Sequence, residues 1–223
     1  MKEKSQFAVI GLGRFGRCLA EKLFDMGKDV LIIDDNADKI NAAQKYCTHS
    51  VVANAADQSV LESVGIKNFD VVAVCIGSDL ESSIFITMLL KELGCKFIVA
   101  KAKNHRHETV LKKVGADMIV FPEDYMGKKI ASILVNPTIS DVTEISDDYK
   151  IVEMALPHSW EDKTLAQLEL RKNYNVQIIL VKNINGTDAS LGGETILKSG
   201  DTIVIGGNSR NMDKLSQLLL KKN

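Results

Sequence analysis

The chain has 223 residues, 45% of them hydrophobic and 26% charged, with a formal net charge of −1. This composition is typical of a globular protein with an apolar core, and its charge gives no electrostatic basis for binding nucleic acid. No apolar run approaches the roughly 20 residues of a membrane span, so we expect none. We also expect no signal peptide, because residues 1–4 are mostly charged. The cysteines, at 18, 47, 75 and 95, form no C-x-x-C pair and indicate a reduced cytoplasmic protein without a disulfide or zinc framework.

The first predicted strand, over 7–10, leads directly into the glycine motif Gly11-Leu12-Gly13-Arg14-Phe15-Gly16. A G-x-G-x-x-G motif between a strand and a helix is typical of dinucleotide-binding folds. In such folds the first glycine allows the tight turn, the second lets a phosphate approach, and the third lets the helix pack against the strand. The motif predicts that phosphate meets the N-terminus of the helix that follows.

An acidic residue follows the glycines at the spacing that the dinucleotide-binding fold requires. Asp34 closes the next apolar run, roughly 20 residues beyond the motif. Its carboxylate can accept hydrogen bonds from both ribose hydroxyls, and it would repel a 2′-phosphate. The combination predicts a site for an adenosine-type nucleotide such as NAD, ATP, ADP or AMP, in preference to a merely structural glycine turn.

An alternation of apolar strands and amphipathic helices continues to residue 121. It predicts a six-stranded parallel sheet of the Rossmann type, because parallel neighbours need crossover connections. The predicted strands are 7–10, 29–33, 50–53, 70–76, 96–101 and 118–121, and the predicted helices are 15–26, 37–46, 57–64, 80–93 and 105–114.

The pattern changes after Pro122. A helix is predicted over about 124–135 and ends at Asn136-Pro137. We therefore predict a nucleotide-binding domain over 1–137, including this crossover helix, and a small α+β domain over 138–223. The second domain is predicted to have strands at 141–145, 150–156, 176–182 and 202–205, a turn at Asn185-Gly186 and a helix over 210–220.

The loops after the predicted strands offer further candidates for ligand contacts, since ligands of open parallel sheets lie at the carboxyl ends of the strands. A solvated turn explains each loop residue equally well on its own, and their convergence on one edge favours a site. The candidates are Asn54 and Ala55 after the third strand, Gly77 and Ser78 after the fourth, and the cations Lys101, Lys103 and His107 after the fifth. Arg14 can fork onto a terminal phosphate, or it is simply an exposed arginine at a helix start.

Two function classes remain open on these residues: a nucleotide-sensing regulator and an NAD-dependent oxidoreductase with a small second domain. The second region holds one histidine, His158, without an evident acid–base partner in the sequence. G-x-S-x-G, H-E-x-x-H and Walker motifs are absent from the sequence. These features favour the regulator over the enzyme.

The motifs resemble those of the bacterial Ktr/Trk potassium-uptake regulators, which are built from RCK (regulator of K⁺ conductance) domains. The resemblance is carried by Phe7–Gly16, Gly77, Leu89-Leu90-Lys91-Glu92-Leu93, Gly115-Ala116-Asp117, Pro122-Glu123, Ile151-Val152-Glu153 and Leu168-Glu169-Leu170-Arg171 with Tyr174. It implies a cytoplasmic, non-enzymatic subunit at the inner face of the membrane. It also implies homodimers that assemble into an octameric ring beneath a membrane K⁺-translocating subunit, with no nucleic-acid partner.

The resemblance also implies ligands. ATP or ADP, or NAD(H), would contact Gly11, Gly13, Arg14, Phe15, Gly16, Asp34, Asn54, Ala55, Gly77, Ser78, Lys101, Lys103 and His107. Glu123 would help to hold Mg²⁺ or Ca²⁺ together with ATP. Cyclic di-AMP would bind the C-terminal lobe at Leu165, Ala166, Glu169, Arg171 and Gln177. The chain departs from the family pattern at Arg17-Cys18, where the family has a glycine and a small polar residue, and at Ala166 and Gln177, which replace a larger aliphatic and an asparagine.

Overall fold

The computed structural model describes residues 5–220, with side chains through residue 216. The chain folds into two compact units, of which the first ends at Glu123 and the second begins at Asp124. We predicted that the helix after Pro122 belongs to the first domain. Most of this helix, Pro122–Val135, lies in the second unit, where Ile133 packs against the core.

The first unit contains a six-stranded, wholly parallel sheet, which confirms the predicted Rossmann-type architecture. Its strands are β1 (Gln6–Ile10), β2 (Asp29–Asp34), β3 (His49–Val52), β4 (Val71–Val74), β5 (Ile98–Lys101) and β6 (Met118–Val120). The strand order is β3-β2-β1-β4-β5-β6, so the order reverses between β1 and β4. The loops after these two strands therefore flank the crevice in which ligands of such sheets bind.

Helices cover the sheet of the first unit, and four of them begin at side chains that cap them. Asn36, Asp57, Asp79 and Asn104 each accept a hydrogen bond from a backbone N–H of the helix that follows. The helices are α1 (Arg14–Asp25), α2 (Ala37–Ala43), α3 (Gln58–Ser63), α4 (Leu80–Glu92), α5 (His105–Val114) and the start of α6 (Pro122–Val135).

Two apolar clusters bury the faces of this sheet. Ile10 and Ile33 belong to one cluster, and their strand neighbours Val9 and Ile32 belong to the other. Successive side chains of a strand point to opposite faces, so both faces of β1 and β2 are buried. This explains why the strands read as continuous apolar runs in the sequence.

The second unit is an α+β fold around a five-stranded antiparallel sheet, as predicted. Its elements are β7 (Ile139–Ser146), β8 (Tyr149–Ala155), α7 (Leu165–Leu168), α8 (Leu170–Tyr174), β9 (Val176–Asn183), β10 (Gly186–Asp188), β11 (Thr202–Asn208) and α9 (Ser209–Leu220). The predicted turn at Asn185-Gly186 joins β9 to β10 in a hairpin. The sequence analysis missed α7 and α8, which are too short to show a helical period. Across residues 5–220, none of the helices is both long and apolar enough to span a bilayer.

Candidate functional site

The turn after β1 requires glycine for geometric reasons. Gly11 has a φ of +91°, in the region that L side chains rarely adopt, and its N–H donates to the Ile33 carbonyl at 2.8 Å. A Cβ at Gly16 would lie 2.0 Å from the Gly11 carbonyl oxygen, so α1 packs against the turn only without a side chain there. A Cβ at Gly13 would have no neighbour within 4 Å. The space above Gly13 is therefore open to a ligand.

Helix α1 begins at this turn without a side-chain cap. Gly13 occupies the N-cap position, and the first turn of the helix contains no acidic residue. The first backbone N–H groups of a helix have no partner within the helix, and the helix dipole adds partial positive charge at the same end. The start of α1 therefore offers donors and a favourable potential to an anion.

A cavity of about 590 Å³ lies at the carboxyl end of the sheet, around the start of α1. Eleven of the thirteen predicted nucleotide contacts line it: Gly11, Gly13, Arg14, Phe15, Asp34, Asn54, Ala55, Gly77, Ser78, Lys101 and Lys103. Gly16 and His107 do not, since Gly16 faces the protein interior and His107 lies beneath the loop after β5.

Asp34 is the buried anion of the cavity, with 6% of its surface exposed. Burial alone raises its pKa, but hydrogen bonds from the Leu12 and Asn36 N–H groups and from Lys39 outweigh this effect and lower the pKa below its ordinary value. The Leu12 N–H lies 2.6 Å from Oδ2 and the Asn36 N–H lies 3.0 Å from Oδ1. Asp34 is therefore an ionised, fixed acceptor at neutral pH.

Cations and one carboxylate meet at the other end of the cavity. Lys101 Nζ donates to Glu123 Oε1 at 2.6 Å and lies 6.0 Å from the centre of the Phe15 ring. The hydrogen bond from Lys101 lowers the pKa of Glu123. Among residues 5–220, no group of three or more His, Cys, Asp or Glu side chains has the arrangement of a metal site. Glu123 on its own thus offers a single carboxylate, with one or two oxygen ligands, and a cation there would need its other ligands from a phosphate or water.

His107 supports the loop of the cavity rather than lining it. It is 3% exposed, and its Nδ1 accepts the Lys103 N–H at 3.2 Å. Burial, with the nearby charge of Lys103, lowers the pKa of the imidazole. His107 is therefore neutral at physiological pH, so the structure does not match the expected role of a cation that contacts phosphate.

Within the described residues, the lining of this cavity holds one cysteine and no histidine. Burial raises the pKa of the Cys75 thiol to about 12, so the one cysteine in the lining is not a thiolate at neutral pH. His158 does have a carboxylate partner that the sequence analysis missed, Glu161 at 2.9 Å. Its side chain is 83% exposed, and it lies in the other unit, in a short 3-10 turn over His158–Trp160.

A second cavity, of about 380 Å³, lies in the C-terminal unit. All five residues predicted for cyclic di-AMP line it: Leu165, Ala166, Glu169, Arg171 and Gln177. Backbone hydrogen bonds from Leu165 to Thr195 and from Ala166 to Gly193 hold α7 against the opposite wall. The cavity combines an apolar wall with a guanidinium and an amide.

Unusual backbone conformations flank α8, which forms part of this cavity. Glu169 and Asn175, at its two ends, have φ values of 45° and 52°. A left-handed conformation costs an ordinary L residue about 1–2 kcal/mol, so the fold maintains it at Glu169 against an intrinsic preference. Such strain is concentrated at functional sites.

Sequence reasoning missed several residues of the first cavity. Asp35, Lys39, Asp79 and Ser82 also line it. Asp35 follows Asp34 directly, and Asp79 begins α4 after the predicted contacts at 77 and 78. Lys39 had the weakest sequence signal, because only the first turn of α2 brings its side chain back to Asp34.

Family models match both units of the chain. The model of the TrkA-N domain matches residues 7–122, and the model of the TrkA-C domain matches residues 150–220. The first match contains the whole glycine motif and every strand of the parallel sheet after residue 6. The second covers the antiparallel sheet from the start of β8 and contains α7 and α8.

Curated relatives share nearly the full length. The chain is 40% identical over 212 residues to the Ktr system potassium uptake protein A of Bacillus subtilis (strain 168), covering 95% of this chain and 96% of that protein. It is 36% identical over 217 residues to the Ktr system potassium uptake protein C of the same organism, covering 97% and 98%.

A solved structure of the GsuK channel bound to NAD has the same fold. It superposes with a TM-score of 0.67 at 18% identity, over 98% of this chain and 40% of the channel chain. At this identity the likeness concerns the fold, and this chain spans less than half the length of that relative.

Proposed function

Because this chain belongs to the family of Ktr and Trk potassium uptake proteins, which join a TrkA-N to a TrkA-C domain, we propose that it is a nucleotide-sensing regulatory subunit. In this proposal it controls a membrane K⁺-translocating subunit from the cytoplasmic face and catalyses no reaction itself. Homodimers that assemble into an octameric ring complete the proposal, as the family resemblance implies.

One observation carries the nucleotide-binding part of the proposal. The uncapped start of α1 and the buried carboxylate of Asp34 face the same cavity of about 590 Å³. Helix N–H groups suit a phosphate, and an ionised carboxylate suits ribose hydroxyls. The residues present thus fit a nucleotide, with Gly13 leaving room for the phosphate.

ATP and ADP are the ligands we favour. NAD(H) is the alternative, since the GsuK channel, which has the same fold, was solved bound to NAD. Arg14 lies on the cavity wall, where its guanidinium group could form a bidentate contact with the terminal phosphate that ATP has and ADP lacks. Glu123 would then exchange Lys101 for Mg²⁺ or Ca²⁺ held by the phosphates. Lys101, whose side chain is 14% exposed, would then be free to bind the phosphate itself.

The proposal includes a second ligand, cyclic di-AMP, in the C-terminal unit. The supporting observation is that the five residues line one cavity, although they come from α7, α8, β9 and, for Glu169, the link between the two helices. Arg171 suits a phosphate of the ligand, and Leu165 with Ala166 offers apolar contact to a base. A two-fold symmetric ligand suits an isologous dimer interface.

The regulatory proposal is tested by K⁺ uptake. The chain is co-expressed with a Ktr membrane subunit in bacteria that lack their own K⁺ uptake, and uptake by vesicles from these cells is measured with ATP or ADP inside. We expect uptake to differ between the two nucleotides, and the difference to vanish in Asp34→Asn. Uptake that is indifferent to this chain and to the nucleotide contradicts the proposal.

The oxidoreductase alternative predicts a different signal. Purified protein is incubated with NAD⁺ and a panel of metabolites, and absorbance of NADH is followed. We expect no metabolite-dependent reduction. Turnover that depends on Asp34 would favour the enzyme instead.

The cyclic di-AMP proposal is tested by titration of the full chain with labelled ligand. We expect saturable binding in the wild type and loss of about tenfold or more in affinity for Arg171→Ala, since the guanidinium donates charge-assisted hydrogen bonds. Lys163→Ala, an exposed cation outside the cavity, is the matched control and should bind as the wild type does. Equal affinity of the wild type and Arg171→Ala would contradict a cyclic di-AMP site at this cavity.

A further inference from the structure

The carboxylate oxygens of Asp34 are fully engaged by donors of the chain itself. Besides the Leu12 and Asn36 N–H groups, Lys39 Nζ lies 3.2 Å from Oδ1 and 3.3 Å from Oδ2. An ionised carboxylate offers about four lone-pair sites. These four contacts fill the acceptor capacity of Asp34, so a ribose hydroxyl can bind only where a donor leaves.

Only one of these donors is free to leave. The Leu12 N–H belongs to the tight turn after β1, and the Asn36 N–H belongs to the residue that caps α2. The Lys39 side chain is 47% exposed, and its ammonium lies at the end of a flexible stem. Ribose hydroxyls that reach Asp34 must therefore take the place of Lys39.

We propose that Lys39 competes with the ribose for Asp34 and thereby sets the affinity of the site for ligands with free ribose hydroxyls. The inference rests on the proposed function, because it requires a nucleotide to bind at Asp34. Lys39 neutralises a buried carboxylate in the protein without ligand, and the ligand must break this ion pair before its own hydrogen bonds form.

If Lys39 competes with the ligand, its removal should strengthen the binding of the ribose. If Lys39 were simply one more cation that holds the ligand, its removal would weaken binding. If Lys39 is a competitor, its removal instead increases the part of the affinity that the ribose hydroxyls contribute. Because the Lys39 side chain of the ion pair is 47% exposed, the effect is moderate, about two- to fivefold in the dissociation constant.

The test compares ATP with 2′,3′-dideoxy-ATP, which has no ribose hydroxyl, by calorimetry in the wild type and in Lys39→Met. The two ligands carry the same charge, so their ratio of dissociation constants cancels the long-range loss of one positive charge. We expect the preference for ATP over 2′,3′-dideoxy-ATP to rise about two- to fivefold in Lys39→Met, because only ATP must displace Lys39. Lys45→Met is the matched control: Lys45 is exposed, lies 4.7 Å from the Tyr46 ring and is outside the cavity lining. It should leave the ratio unchanged.

The outcomes separate this inference from the proposed function. A wild type that binds neither ligand overturns the proposed function and this inference with it. A wild type that binds ATP, together with a ratio that is unchanged or lower in Lys39→Met, overturns this inference alone. Lys39→Leu, which also carries no donor, repeats the test if urea unfolding shows that the methionine variant is not folded, and an unchanged ratio there has the same meaning.

Discussion

Gly13 and Gly16 belong to one motif, but the structure predicts opposite consequences for replacing them by alanine. At Gly16 a Cβ would lie 2.0 Å from the Gly11 carbonyl oxygen, about 1 Å closer than real Cβ contacts allow. This carbonyl cannot withdraw easily, since Gly11 is tied to Ile33 by a 2.8 Å hydrogen bond. We expect Gly16→Ala to lower the free energy of unfolding by about 3 kcal/mol or more, at the upper end of overpacking effects.

Gly13→Ala should leave folding almost unchanged. Gly13 has φ −64° and ψ −178°, which alanine adopts without strain, and its Cβ would meet nothing within 4 Å. Alanine loses less chain entropy on folding, which gains about 0.4–1 kcal/mol, but it is a poorer N-cap by a similar amount. The free energy of unfolding should therefore change by less than about 1 kcal/mol.

The same methyl group at position 13 should block the ligand. It would occupy the open space above the start of α1, so phosphate could not reach the helix N–H groups, each worth about 1.5–3 kcal/mol to a charged acceptor. Urea unfolding is measured with and without ATP at a hundred times its dissociation constant, where the wild type should gain about 2.7 kcal/mol. Gly13→Ala should gain little under the same conditions. Full ligand stabilisation of Gly13→Ala would refute phosphate binding at this turn.

Three further predictions concern charges and loop support. Arg14→Ala should reduce the ratio of ATP to ADP affinity by about tenfold in calorimetry, the loss expected for one fork onto a phosphate, whereas the exposed control Arg17→Ala should not. Hydrogen bonds from the Ser5 N–H, Lys96 and the Gln6 N–H lower the pKa of Asp70 to about 2, so its contribution is present above pH 4 and lost as the pH falls to about 2. Between about pH 4 and 2, the stability of Asp70→Asn should accordingly fall less steeply with decreasing pH than that of the wild type. The same pH dependence in both proteins would mean that the hydrogen bonds to Asp70 do not stabilise the fold. His107→Asn keeps an acceptor near the position of Nδ1 for the Lys103 N–H in the loop after β5. Its free energy of unfolding in urea should therefore exceed that of His107→Gln by about 0.5–1.5 kcal/mol. Equal values would mean that this hydrogen bond contributes nothing to stability.

The parallel sheet was predictable because buried strands between capped helices leave a strong pattern in the sequence. β4 reads Val-Val-Ala-Val with every residue buried, and Gly94 and Gly115 follow the helices that they end. The short helices α7 and α8 left no such pattern. The capping box of Thr164 and Gln167 starts α7, and the left-handed Glu169 ends it, which a glycine-based rule for helix ends does not detect.

The candidate site was predictable where backbone geometry dictates the residue, as at Gly11 and Gly16. It was less predictable where a long side chain decides the geometry. Lys39 reaches Asp34 across five positions, and Lys101 reaches Glu123 across 22. Only the fold brings such pairs together. His107 was predicted to contact phosphate because histidine can be cationic. In the structure it accepts the Lys103 N–H beneath the loop after β5 instead.

The most direct test of the account identifies the small molecules that the purified protein carries. Wild-type protein and Asp34→Asn are expressed side by side, denatured and extracted, and the extracts are analysed by mass spectrometry. We expect an adenine nucleotide in the wild type, close to one per chain, and a strong depletion of it in an Asp34→Asn variant whose stability to urea equals that of the wild type. A wild type that carries no adenine nucleotide and shows no saturable binding when ATP, ADP or NAD is added would contradict the central claim.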